Sequence, residues 1–173
     1  MTDRHATAWG SAVNLDHCGS DIVRRFILDN ARHWIREYHV DGLRLDATHA
    51  LVDDGPVKLA AELASHARDE ASWPVTIHAE DHRNLGVMLH SSQEGGWGLD
   101  GVWADDFHHV VRRLIAGDSH GYYQDYEGAV EELAQTIRQG WLYTGQPTRR
   151  SNLPRGTDAS RVLMKQSVIC IQN

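Results

Sequence analysis

Short apolar runs rich in β-branched residues recur along this 173-residue chain, separated by stretches with helical periodicity. That alternation constrains the fold more than any other feature. Strands that each lead into a long amphipathic helix cannot join by tight hairpins, so they pair in parallel through helical crossovers. Apolar residues Val23, Phe26, Ile27, Ala31, Trp34, Ile35 and Tyr38 follow Ser20 and Asp21 at helical spacing. This predicts a helix with Ser20 as N-cap and one buried face through Tyr38. Residues 40–45 read as a short strand, and Pro56 as the start of a second helix with Leu59, Leu63 and Ala67 on its inner stripe. Further strands are expected over 75–79, 101–103 and 167–171, a short helix over 85–89, and longer helices over 107–115 and 129–139.

The expected class is therefore α/β with a parallel sheet of about four strands. A complete eight-fold barrel needs roughly 250 residues. A small open sheet is the alternative, but the final apolar run has no covering element after it. The chain is expected to form one segment, residues 1–173, of a (β/α)8 TIM barrel, from its middle to its later part. The first barrel strands, any N-terminal domain and the C-terminal part would lie outside it.

Composition narrows the function. The net charge is −7 with 24% charged residues, which argues against a nucleic-acid partner, since phosphate binding calls for a basic stripe. No apolar run reaches a membrane-span length, and the start MTDRHATAWG lacks a signal peptide's regions. With Cys18 and Cys170 far apart, a reduced, cytoplasmic protein is the simplest expectation. Twelve His residues invite a metal, yet no HExxH or Cys/His ligand spacing is present, and none is expected.

Polar clusters stand at the C-terminal ends of three successive strands: Arg44 with Asp46, His78 with Glu80, and Asp105 and Asp106 followed by His108 and His109. That edge carries the active site in α/β barrels. Strand alternation sends Arg44 and Asp46 to one face. Taken alone, such a pair is also what a structural ion pair looks like. Asp46 and Glu80 in one crevice suit glycoside hydrolysis, with carboxylates about 5–5.5 Å apart in a retaining enzyme. Arg44 would keep Asp46 ionised as nucleophile, while Glu80, after a more apolar strand and near Asp46, would be raised toward the acid role.

The run GSDIVRRFILDNARHWIREYHVDGLRLDATHAL, from Gly19, resembles the α-amylase family of glycoside hydrolases around its nucleophile strand, and HAEDHRN, from His78, resembles its acid/base segment. TAWGSAVNLD, DATHALVDDGP, WADDFHH and GYYQDY are most similar to the branch of that family that frees trehalose from malto-oligosyltrehalose. The resemblance implies that Asp46 is the nucleophile, Glu80 the general acid/base and Arg44 the residue orienting Asp46. It places His49, Asp105, Asp106 and His108 in the substrate cleft, and requires no cofactor. Trp97, Trp103, Tyr122 and Tyr123 could stack on sugars or simply pack. Ala8 and Thr48 stand where the family usually has Pro and Val. The family's third acid follows Q-N-H, and this chain ends ICIQN, so the isolated chain is expected to hydrolyse little or nothing. Two other readings stay open: a glycogen branching enzyme-like transferase and a non-catalytic α-glucan-binding segment.

Overall fold

The computed structural model describes residues 1–171. It resolves into two compact units, Met1–Glu80 with His90–Asp100, and Asp81–Leu89 with the chain from Gly101 onward.

The first unit opens with a minimal antiparallel pair, β1 (Ala6–Thr7) and β2 (Gly10–Ser11). Helix α1 (Ser20–Tyr38), strand β3 (Gly42–Leu45), helix α2 (Leu59–Asp69) and strand β4 (Thr76–Glu80) follow. The two strands pair in parallel, with Arg44 opposite His78 and Leu45 opposite Ala79, as a crossover through α2 requires. Ala31 and Ile35 of α1, Leu59, Ala60, Leu63, Ala64 and Ala67 of α2, and Ile77 and Ala79 of β4 are buried.

Three expectations are corrected in this unit. The N-cap of α1 is Gly19, at φ +78° and with no side-chain cap bond, so Ser20 is the first helical residue. Of the expected buried face, Phe26, Trp34 and Tyr38 are exposed. The apolar arc is wider than the stripe that α2 covers, and the outer rings instead pack on each other, Trp34 against Tyr38 at 4.8 Å. Helix α2 begins at Leu59, three residues after Pro56, because buried Asp53 holds the intervening loop. Its carboxylate accepts from the N–H groups of Gly55 at 2.9 Å and Leu59 at 2.7 Å, and from Arg24 at 2.7 Å.

The second unit holds strand β5 (Gly101–Trp103), helices α3 (Asp105–Ile115) and α4 (Val130–Gln139), and strand β6 (Ser167–Val168). β5 and β6 are parallel, with Trp103 opposite Val168. Val110, Tyr126, Leu142 and Tyr143 form its core, with Leu114 and Leu133 against it. The expected buried strand over 167–171 is shorter and less covered. Pairing stops at Val168 because its partner turns into α3 after Ala104, and Ile169 and Ile171 are exposed. Gln172 and Asn173, on which the comparison with Q-N-H rests, lie outside the described residues. The short helix near 85–89 is a single turn, Gly86–Met88. Cys18 and Cys170 are free thiols. Among the described residues, no helix is long and apolar enough to cross a membrane.

Candidate active site

The parallel register builds the first cluster. With Leu45 opposite Ala79, one further step sets Asp46 beside Glu80, and period-two alternation puts Arg44, Asp46, His78 and Glu80 on one face. The opposite face of β4, Val75, Ile77 and Ala79, is buried. One guanidinium then serves both carboxylates. Arg44 donates to Asp46 through one terminal nitrogen, and its other terminal nitrogen lies 3.4 Å from Glu80. Asp46 is the more open of the two, its side chain 79% exposed against 32% for Glu80.

The turn after Asp46 is locked onto Glu80. Ala47 takes a left-handed conformation at φ +46°, which costs a non-glycine residue about 1 kcal/mol. It aims the Ala47 N–H at the Glu80 Oε2, 2.6 Å away. Thr48, buried at the start of the one-turn helix Thr48–Ala50, donates its hydroxyl to the Glu80 carbonyl at 3.0 Å. A valine at position 48 would fill the space without supplying that donor. His49 sits in the same turn, its ring 5.9 Å from that of Trp9. The sequence reading did not single out Trp9, although it lies in the TAWG run that carried part of the resemblance.

Asp105, Asp106 and His108 belong to the second unit, in the first turn of α3. Asp106 is fully buried, and its oxygens accept from Asn84 at 2.8 Å, Tyr126 at 2.7 Å, Arg155 at 2.8 Å and the Leu142 and Tyr143 N–H groups at 2.7 and 3.2 Å. With its oxygens directed at these protein donors, Asp106 braces the framework of this unit, and its place in the cleft is an assignment from resemblance. Burial opposes the charge of Arg155, but Asp106, Tyr126 and Tyr143 together outweigh it and hold the Arg155 pKa above its ordinary value. His108 is also buried, and burial, then the charge of Arg112, lowers its pKa. Its neighbour His109 bonds the Tyr126 hydroxyl at 3.1 Å and packs against the rings of Tyr122, Tyr123 and Tyr126. Burial and the adjacent His108 push the His109 pKa down to about 4, so this imidazole is neutral near pH 7. Arg155 went unremarked in the sequence, and Asn84 and Tyr126 entered only as the ends of the HAEDHRN and GYYQDY runs, because nothing local ties residues 84, 126 and 155 to residue 106.

Of the aromatic residues left open between stacking on sugars and packing, Tyr122 is half exposed, and Trp103 donates its indole N–H to the Cys170 sulfur at 3.4 Å. The described residues contain one His/carboxylate group spaced for a metal ion, His5 with Asp16 and Asp54. None of its members belongs to the clusters above.

No family model matches the chain. It is 41% identical over 175 residues to the malto-oligosyltrehalose trehalohydrolase of Deinococcus radiodurans, a match covering all of this chain and 28% of the relative. It is 43% identical over 143 residues to that of Arthrobacter ramosus, covering 81% of this chain and 25% of the relative. A crystal structure assigned to the alpha amylases, from Salmonella typhimurium, superposes with a TM-score of 0.80 at 31% identity over 92% of this chain and 27% of that one.

Parallel strands with helical crossovers and that superposition define a partial α/β barrel of the α-amylase type. Within that type, the chain is similar to one segment of the malto-oligosyltrehalose trehalohydrolases. It spans about 28% of the length of the Deinococcus relative.

Proposed function

We propose that this chain is one segment of a catalytic (β/α)8 barrel and carries the nucleophile and the acid/base of a retaining α-glucan hydrolase. The reaction is cleavage of the α-1,4 bond next to the terminal trehalose of malto-oligosyltrehalose, releasing trehalose. The observation that carries this reading is the single guanidinium of Arg44 gripping Asp46 and facing Glu80 at the ends of two adjacent parallel strands. Asp46, open to solvent, attacks the anomeric carbon to give a glycosyl–enzyme. Glu80 protonates the departing oxygen and then, as a base, draws a proton from the water that hydrolyses the intermediate. Arg44 orients the nucleophile, and the Ala47 N–H fixes Glu80 opposite it. His49 and Trp9 flank the sugar, and Asp105 and His108 are assigned to the cleft on resemblance alone. The names of the relatives support the choice of substrate.

The test is a chimaera in which this chain replaces the matching segment of the Deinococcus enzyme. Trehalose release from maltotriosyltrehalose is expected, with Asp46→Asn lowering the rate by at least about 10³-fold. A well-folded chimaera that releases no trehalose, or that forms α-1,6 branches on linear glucan instead, overturns the reading.

A further inference from the structure

Near the start of the first unit, outside the strand-end cluster, three side chains from distant parts of the sequence meet. The His5 Nε2 lies 2.7 Å from the Asp16 Oδ2 and 3.8 Å from the Asp54 Oδ2. One nitrogen or oxygen from each residue falls within 4.8 Å of the others. Asp16 is the pivot. Its side chain is 1% exposed, and its Oδ2 also accepts the Asp54 N–H at 2.8 Å. Its other oxygen, Oδ1, is buried with no hydrogen-bond partner. A buried carboxylate oxygen left without a donor is uncommon, since such atoms are satisfied in the large majority of cases. The nearest positive group, Arg4, is 3.9 Å from Oδ1, too far for a hydrogen bond.

We propose that His5, Asp16 and Asp54 form a divalent-cation site, of Zn²⁺ type, separate from the carbohydrate chemistry. One imidazole nitrogen and two carboxylates are a common zinc ligand set, with a fourth position left to water. Ligand bonds near 2.0–2.1 Å in a tetrahedron set ligand atoms about 3.3 Å apart. The two His5–carboxylate separations bracket that value, so small side-chain rotations close the site. Two carboxylates balance the ion's charge. Binding takes the Nε2 lone pair: an imidazolium gives up its Nε2 proton to solvent and keeps the one on Nδ1, whereas a neutral ring protonated on Nε2 passes to the Nδ1–H tautomer with no net release. Arg4 lies 3.8 Å from Asp54 and 3.9 Å from Asp16 with a half-exposed side chain. It acts as a competing internal cation that swings outward when the metal enters.

The full chain is titrated with Zn²⁺ against a chromophoric chelator, and with Co²⁺ while its visible absorption is followed. One equivalent is expected to bind more tightly than the remaining histidines allow, with the intense Co²⁺ bands of a four-coordinate site. Asp54 is largely exposed, so Asp54→Asn leaves the fold intact and is expected to weaken binding at least tenfold and remove those bands. Arg4→Ala is expected to tighten it, an effect that a purely structural ion cluster would not show. Equal Zn²⁺ affinity in wild type and Asp54→Asn, or no saturable equivalent in either, overturns the proposal.

Discussion

Glu80 is held at both its ends, by the Ala47 N–H and Arg44 at the carboxylate and by Thr48 at the carbonyl. On the proposed assignment, removing its proton-transfer capacity while keeping its shape separates the two chemical steps. In the chimaera, Glu80→Gln is expected to slow cleavage of substrates with poor leaving groups by about 10²–10⁴-fold, the usual contribution of a general acid. Glycosyl fluorides, which depart without protonation, should form the intermediate at near wild-type rate and then stall at hydrolysis. An equal loss for both kinds of substrate would contradict the acid assignment. At this scale the pairing of Arg44 with Asp46 was legible in the sequence, because residues two apart in a strand share a face whatever the rest of the chain does. The grip of Arg44 on Glu80 was not, since it joins residues 36 positions apart (80 − 44) through the register between two strands.

Among the elements, helix α2 shows how a boundary escapes local reading. Pro56 is a good helix-start residue, yet the helix begins at Leu59, where Asp53 reaches six residues forward to accept its first N–H. The same carboxylate is paired with Arg24 of α1, which also bonds Glu62 of α2, so one buried Asp fixes both the start of a helix and its neighbour. Asp53→Ala is expected to destabilise the chain by about 2 kcal/mol or more, combining a lost cap with a half-buried Arg left short of one partner. A lowered denaturant midpoint with reduced far-UV helical signal would show it. A wild-type midpoint would mean that Arg24 and Glu62 suffice. Where the sequence succeeded, at the C-terminal end of α1 and the bounds of β5, the apolar period and the flanking residues agreed. Where it overreached, at 167–171, apolar content alone suggested a strand that backbone pairing sustains for only two residues.

For the molecule as a whole, the network around Asp106 and the neutral His109 sets the response to acid. In the unfolded chain an imidazole titrates near 6.5, whereas in the fold His109 is pushed down to about 4. Between those values the unfolded state binds a proton that the folded state refuses, so stability rises with pH across that window. The contribution is fully present above about pH 6.5 and fades as the pH falls toward 4. Urea midpoints are expected to drop between pH 7 and 4.5 by the equivalent of about 2 kcal/mol for this group, and His109→Phe should flatten that slope. A variant that keeps the full slope would place the acid sensitivity elsewhere. By itself the sequence determined the α/β class, the helix periods, the Arg44–Asp46 pair and the resemblance carried by its motifs, because each of these is written in residues close along the chain. Only the tertiary structure decided that Glu80 shares Arg44, that Asp106 spends its oxygens on protein donors, and that His5, Asp16 and Asp54 converge. Each of those depends on distances between residues far apart in sequence, and these are fixed by strand register and helix packing.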